Sequence, residues 1–183
     1  RAVEKLMVVE VPERAQYIRV ILAELNRLAS HLLFIGTYAI DLGAMTPIMY
    51  GFRERERIEN LFESVTGARM MHNFIRIGGI KEDVPPDFLS RTYEALNEIE
   101  HGVVEIDKLL TFNEVFLART RGVGKIDAGT AISCGITGPS LRASGVPYDV
   151  RKDDTYEIYR YLNYRVPVGE NGDCWDRYYM RVL

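Results

Sequence analysis

The chain has 183 residues, of which 47% are hydrophobic and 27% charged, as expected of one globular domain with its own core. Its net charge of −3 gives no electrostatic basis for binding nucleic acid. Its two cysteines, Cys134 and Cys174, form no CxxC pair, which fits a reducing compartment and argues against a disulfide framework, Fe–S site or zinc site made by this chain alone.

Both ends of the chain fall in helical patterns. The first residues include no initiator methionine, and the last show no C-cap signal, so we expect residues 1–183 to be a single partial domain of a longer protein. The longest uncharged runs, 28–40 and 128–141, are shorter than the ~20 residues that span a bilayer. Any contact with a membrane is therefore expected to come through partners.

A long helix is predicted from Pro12 to Asp41. Proline suits the first helical turn, and apolar residues recur at helical spacing after it. The second half, residues 28–40, is apolar on nearly every side, which predicts burial all round. We therefore expect this helix to be the central one.

Two further long helices follow. The second is predicted from Pro47 to about Val65, with Gly67 after it, and the third from Phe88 to about Leu110. The residues between them are expected to be irregular or strand-like and then a loop. The predicted buried stripes are Met49, Phe52, Ile58, Leu61, Phe62 and Val65 on the second helix, and Leu89, Tyr93, Leu96, Ile99, Val103, Ile106 and Leu110 on the third.

The remaining third of the chain differs in composition. Residues 113–172 are rich in glycine and small residues, which predicts short strands and turns, and Asp173 is the predicted N-cap of a last helix. The predicted fold class is α+β and mainly helical. It comprises a helical bundle core over 1–112, a small β-rich, Gly-rich portion over 113–172, and the start of a truncated helix over 173–183.

Asp41 is the first candidate functional residue. It shares a helix face with Phe34, Thr37 and Tyr38. Burial and the negative end of the helix dipole both disfavour a charged carboxylate there, which is typical of groups that handle protons. The structural alternative is that Asp41 caps the next turn or pairs with an arginine.

Three other features are weaker signals. His72 stands near a bend between Arg69 and Arg76, an arrangement compatible with an anionic or redox neighbour. The charge run over 53–57 is expected to be a solvated face, with a docking surface for another subunit as the alternative. His31 is expected to be a core or paired histidine.

Six strings in order along the chain resemble one family. They are "RAQYIRVILAELNRLASHLL", "DLGAMTP", "FRERE", "TGARMMHNFIRIGGIKEDVP", "LRASGVPYDVRK" and "GDCWDRYYMR". Together they are similar to the hydrogenase-like, D-type subunit of NADH-quinone oxidoreductase, respiratory complex I, and to its plastid and cyanobacterial equivalents. The resemblance implies the fold of the nickel-iron hydrogenase large subunit, a helical bundle with a β-rich portion.

The resemblance also implies a function. With the small Fe-S subunit, which carries a terminal [4Fe-4S] cluster, this family forms the cavity where quinone is reduced, a reaction coupled to proton translocation. The expected location is peripheral, on the cytoplasmic side of the cell (inner) membrane, and the other expected partners are the C-type subunit and the quinone-channel membrane subunit. Quinone is the expected substrate and NAD is bound elsewhere in the complex. The chain alone is expected to bind no metal or cofactor and to be inactive.

Residue roles follow from the same resemblance. Asp41 matches the family acid that hydrogen-bonds a histidine near the quinone headgroup and relays protons, and Thr37 lies one turn before it, toward the same cavity. The resemblance places three residues on the side that faces the partner's cluster: Arg69, His72 and Arg76. Met71 stands where many members have a histidine, so the cluster role carries over to His72 only weakly.

Two alternatives remain at this point. One is the catalytic subunit of a membrane-bound energy-converting hydrogenase, which would carry CxxC motifs near both chain ends. The other is a non-catalytic scaffold or assembly relative, which would keep the helices and lose the chemistry of Asp41.

Overall fold

The computed structural model describes residues 1–183, 62% of which are helical and 2% in strands. The elements are α1 Ala2–Met7, α2 Glu13–Asp41, α3 Thr46–Thr66, β1 Ile75–Arg76, β2 Gly79–Ile80, α4 Phe88–Leu110, α5 Glu114–Thr120, α6 Ala128–Ser133, α7 Gly138–Ala143, α8 Val150–Asp153, a 3₁₀ turn Tyr159–Tyr161, and α9 Cys174–Val182. The two strands form an antiparallel hairpin in which Ile75 pairs with Ile80 and Arg76 with Gly79. The chain is therefore mainly helical, with one very small sheet.

The centre of the fold is the α2–α3 hairpin. Gly51 of α3 lies against the backbone of Leu32, since a Cβ built on it would be 2.9 Å from the Leu32 carbonyl oxygen. A Cβ on Gly36 of α2 would likewise be 2.9 Å from the Cα of Ile48. The missing side chains let the two helices approach closely, and α3 then packs α4 on another side.

The charge run on α3 holds that second contact together. Glu54 is 1% exposed and accepts hydrogen bonds from Arg53 at 2.5 Å and Arg57 at 3.0 Å. Arg53 also bonds Glu105 of α4 at 2.6 Å, and Arg57 bonds Glu98 of α4. The expectation of a solvated face over 53–57 is therefore wrong at Glu54, which is buried against Gly102 of α4.

Arg19 of α2 contacts both α1 and the β1–β2 hairpin. Its guanidinium donates to Glu4 of α1 at 2.6 Å and to the carbonyl oxygens of Arg76 at 2.7 Å and Gly79 at 2.8 Å. Both Glu4 and Arg19 are 5% exposed. One buried ion pair therefore fixes α1 and the β1–β2 hairpin to the central helix.

The predicted bounds of the long helices are confirmed to within a residue or so. Pro12 precedes α2, Pro47 lies in the first turn of α3, and Gly67 follows α3 in the left-handed conformation. The prediction for α4 is met at both ends. Asp173 caps α9 by accepting the N–H of Asp176 at 2.9 Å.

The predicted buried faces are partly wrong. On α4, Leu89, Tyr93 and Leu96 are 54%, 74% and 40% exposed. The buried side of α4 carries Phe88, Thr92, Ala95, Ile99, Gly102, Ile106 and Leu110. Gly102 contributes to this choice of face, because it lets Glu54 of α3 approach, and a pattern of apolar residues does not include glycine.

The same correction applies to the other two long helices. Met49 and Phe52 of α3 are exposed, and so are Ser30 and Thr37 in the half of α2 expected to be buried all round. The helices α3 and α9 pack on α2 but leave these two positions of α2 uncovered.

The prediction of strands over 113–172 is wrong. This portion forms four short helices, α5 to α8, joined by turns. Asn113, Asp127 and Asp149 each accept backbone N–H groups of the residues that follow them, and so start α5, α6 and α8. Such local caps favour short helices over an extended chain.

Candidate functional site

A cavity of about 300 Å³ lies at the loop end of the α2–α3 hairpin. Residues of the 42–47 loop form one wall, and residues within 109–116, where α4 ends and α5 begins, form the other. Six of the ten lining residues are hydrophobic. The cavity is therefore an apolar recess at the C-terminal end of α2.

The end of α2 is shaped by its backbone. Gly43 adopts a φ of 86°, and the N–H of Ala44 bonds the carbonyl oxygen of Ala39 at 2.8 Å, which ends the helix in a left-handed cap. Arg119 of α5 donates to the carbonyl oxygen of Leu42 at 2.6 Å. A cation at this position complements the negative end of the helix dipole. Sequence reasoning missed Arg119, because its contact spans 77 positions.

Asp41 directly precedes the cavity-lining residue Leu42 and is exposed, but it does not itself line the cavity. Its carboxylate has no hydrogen-bond or ion-pair partner within the chain, so neither the expected burial nor the alternative of capping or arginine pairing is found. Thr37, one turn earlier, is also exposed, and its hydroxyl donates to the Leu33 carbonyl at 2.9 Å. The structure thus brings Thr37 and Asp41 together on one open face.

The neighbouring face of α2 is closed by α9. Phe34 and Tyr38 stack with ring centroids 5.2 Å apart, and the Tyr38 hydroxyl donates to the Cys174 carbonyl at 3.1 Å. Burial raises the pKa of Tyr38 above its usual range, and the contact with Cys174 raises it further. Tyr38 is therefore a neutral, fixed support beside the open Thr37–Asp41 face.

Large apolar side chains are exposed near the same loop end, one in the loop and two on α3. Met45 is 68% exposed, Met49 73% and Phe52 48%. Runs of exposed apolar side chains are typical of surfaces that another molecule covers. The loop end therefore combines a free carboxylate, a small recess and uncovered apolar surface.

The second group of predicted residues lies beyond the other end of α3. Arg69 turns back onto α3 and contacts Glu56 at 2.5 Å, Asn60 at 2.8 Å and Glu59 at 3.3 Å. The hydrogen bond with Glu56 raises the pKa of Arg69 above its usual value. The charge of Arg69 is thus already balanced within the chain.

His72 and Arg76 are not paired with Arg69. The His72 ring stacks on Phe62 with centroids 4.4 Å apart, and its Nδ1 atom is buried without a hydrogen-bond partner. Arg76 is exposed and its side chain bonds Asn73. Met71, directly before His72, adopts a φ of 53° and is 95% exposed.

The two groups of predicted site residues are separated by α3. This helix has 21 residues and is therefore about 30 Å long. Asp41 and Thr37 lie near its first residue, and the segment 69–76 follows its last. The structure brings Thr37 to Asp41, but it does not bring Arg69, His72 and Arg76 into the same site.

Metal-binding clusters and membrane-spanning helices are both absent from residues 1–183. No group of three or more His, Cys, Asp or Glu side chains is placed to hold a metal ion. None of the helices combines the length and apolar character needed to cross a membrane.

Comparison with known proteins gives a consistent result. The family model described as "Respiratory-chain NADH dehydrogenase, 49 Kd subunit" matches residues 41–183. The D-type subunit of NADH-quinone oxidoreductase from Clostridium beijerinckii is 48% identical over 182 residues, covering 100% of this chain and 49% of the relative. NADH-quinone oxidoreductase subunit 4 of Thermus thermophilus is 53% identical over 181 residues, covering 99% of this chain and 44% of the relative. The chain spans about half the length of the curated relatives it matches.

Proposed function

We propose that this chain forms part of a quinone-reduction site. The chain belongs to the family of the 49 kDa subunit of respiratory-chain NADH dehydrogenase. In this proposal it is the quinone-site subunit of a proton-translocating NADH-quinone oxidoreductase. Its fold is that of the nickel-iron hydrogenase large subunit, and its position is peripheral, on the cytoplasmic side of the cell (inner) membrane. Its partners are the small Fe-S subunit, the C-type subunit and the quinone-channel membrane subunit.

The observation that carries the proposal is the composition of the α2–α3 loop end. Asp41 has no partner of its own chain, the loop that follows it lines a recess, and Met45 and Met49 shortly after it are exposed. A partner surface covering this end would remove Asp41 from water. The carboxylate would then favour the protonated form or require a hydrogen-bond partner.

In this proposal, Asp41 takes part in the proton transfer that quinone reduction requires. Converting quinone to quinol takes two electrons and two protons; a [4Fe-4S] cluster of the adjacent subunit would supply the electrons, and this chain would supply one of the two protons. Asp41 holds one proton and relays it toward the headgroup through a histidine outside residues 1–183. An acid and a histidine with interacting titrations form such a relay. Thr37, on the same face, borders the quinone.

The segment 69–76 is assigned to the side of the partner's cluster. His72 offers the buried, unpartnered Nδ1 and Arg76 an exposed guanidinium. Arg69 contributes less positive electrostatic potential there than Arg76 does, because carboxylates of α3 already balance its charge. The length of α3 keeps these residues apart from Asp41.

The test is Asp41→Asn in the assembled complex. Loss of a proton relay is expected to lower quinone reductase activity by roughly 100-fold or more, with NADH oxidation by artificial acceptors unchanged. Asp154→Asn is the matched control, because Asp154 is also exposed but lies far along the chain, after α8. Equal loss of both activities in Asp41→Asn, or no loss of either, would refute the relay.

A further inference from the structure

A cluster of basic side chains lies where α2 meets the C-terminal third of the chain. We call it the arginine cluster: Arg27 and His31 of α2, Arg142 of α7, Arg151 of α8 and Arg181 of α9. Burial lowers the pKa of His31 to about 4, and the four arginines lower it in the order Arg181, Arg27, Arg142 and Arg151. His31 is therefore neutral near pH 7, and the positive charge comes from four guanidiniums.

Only two carboxylates balance these four charges. Glu24 binds Arg27 at 3.0 Å and Arg151 at 3.1 Å. Asp149 binds Arg151 at 2.6 Å and lies 3.5 Å from Arg142. The nearby acid of α8, Asp153, faces the backbone N–H of Asp149 and contacts no guanidinium. Four positive and two negative charges leave a net charge of +2.

The uncompensated charge falls on Arg142 and Arg181. Arg142 is 7% exposed, its Nε is buried without a hydrogen-bond partner, and its Nη1 makes only a 3.5 Å contact with the Tyr148 carbonyl besides Asp149. Arg181 lies 3.8 Å over the Phe34 ring and donates to backbone and hydroxyl oxygens but to no carboxylate. Burial, followed by the charges of Arg142 and Arg177, lowers the pKa of Arg181 to about 10.

A second unpartnered polar group lies in the same region. The Tyr164 hydroxyl is buried without a hydrogen-bond partner, and the Arg151 guanidinium lies 4.7 Å over its ring. Two of the three buried unpartnered side-chain atoms in this chain therefore belong to this region. Buried donors and charges without partners are costly, and native proteins rarely leave several in one place.

We propose that Arg142 and Arg181, beside neutral His31, bind one oxyanion group, a carboxylate or a phosphate. A guanidinium offers N–H donors in a planar fork that matches both groups, and two such forks supply the charge that one anion needs. The site lies on the N-terminal side of the proposed quinone site, since Arg181 contacts Phe34, which precedes Asp41 by seven residues of α2, or roughly 10 Å. The oxyanion comes either free from solution or from an acidic side chain outside residues 1–183.

The direct test is the structure of the assembled complex, determined in chloride buffer and again with excess inorganic phosphate. An oxyanion is expected within hydrogen-bond distance of Arg142 Nε and of the Arg181 guanidinium. Density continuous with a polypeptide in both buffers identifies an acidic side chain as the source, and density seen only with phosphate identifies a free anion. Water alone at both guanidiniums in both buffers overturns the proposal.

Variants give an independent measurement. Arg142→Gln and Arg181→Gln are expected to weaken phosphate binding to the complex, or retention of the subunit that supplies the carboxylate, by about tenfold or more. Arg160→Gln is the matched control, because Arg160 is an exposed arginine whose guanidinium lies over the Tyr161 ring. If Arg142→Gln fails to assemble, Arg181→Lys replaces it as the test. This variant keeps the positive charge but lacks the planar guanidinium, so we expect it to bind the oxyanion more weakly than wild type. Binding and retention equal to wild type in the assembled variants would refute the site.

Discussion

Gly51→Ala tests the close approach of α2 and α3. The new Cβ would lie 2.9 Å from the Leu32 carbonyl oxygen, and that oxygen belongs to a helix backbone, which no rotamer change can move. Overpacking of this kind costs about 1–3 kcal/mol, whereas replacing glycine by alanine inside a helix gains up to ~1 kcal/mol. Because the clash is with backbone, we expect the upper part of the cost to apply and the net destabilisation to be about 1–2 kcal/mol.

The assay is urea unfolding followed by circular dichroism. The midpoint is expected to fall with an unchanged m value, and the melting temperature by roughly 2–8 °C for a domain of this size. Asn97→Ala is the control, because position 97 is exposed on α4 and reports the helix-propensity gain alone. If Gly51→Ala were as stable as wild type while Asn97→Ala gained a few tenths of a kcal/mol, the packing argument would be wrong.

Two further predictions concern the ends of α2. Arg119→Ala removes the 2.6 Å hydrogen bond to the Leu42 carbonyl, and we expect faster amide hydrogen exchange over 42–46, whereas an unchanged rate would show that the contact does not hold the loop. The hydrogen bond from Arg19 holds the pKa of Glu4 near 2, below its ordinary value of 4.5. The resulting stability is present above about pH 4.5 and is lost as the pH falls toward 2, so Glu4→Gln is expected to flatten the acid limb of a stability–pH profile, and equal acid limbs would contradict this.

The long helices could be predicted because their signals are local. Apolar spacing, Pro47, Gly67 and Asp173 each act within a few residues of the feature that they determine. The short helices of 113–172 also depend on local caps, but the glycine-rich composition masked them. Short strands and turns are also rich in glycine and small residues, so composition alone wrongly predicted strands over 113–172.

Burial could not be predicted where it depends on distant contacts. Leu89, Tyr93 and Leu96 of α4 were wrongly predicted to be buried, because the close approach of Gly102 to Glu54 of α3 is not visible in the spacing of apolar residues. Asp41 was predicted to be buried because its helix is apolar. It is exposed, because no element of residues 1–183 covers it. The family resemblance came from ordered strings and did not depend on either error.

The candidate site was predicted only in part. Helical spacing correctly put Thr37 and Asp41 on one face. It gave no indication that α3 separates Asp41 from Arg69 and His72, since a separation of 28–31 positions along the chain is compatible with any distance in a compact fold.

The contact between Glu54 and Gly102 restricts how relatives of this chain can diverge. A Cβ at position 102 would lie 2.5 Å from the Glu54 carboxyl group, which Arg53 and Arg57 hold in place. A single replacement at either site is therefore unfavourable, whereas a shorter acid at 54 would make room for alanine at 102. In a large alignment the two positions should covary as a pair, whereas Arg53 and Arg57 can persist without the acid, because each also bonds a carboxylate of α4.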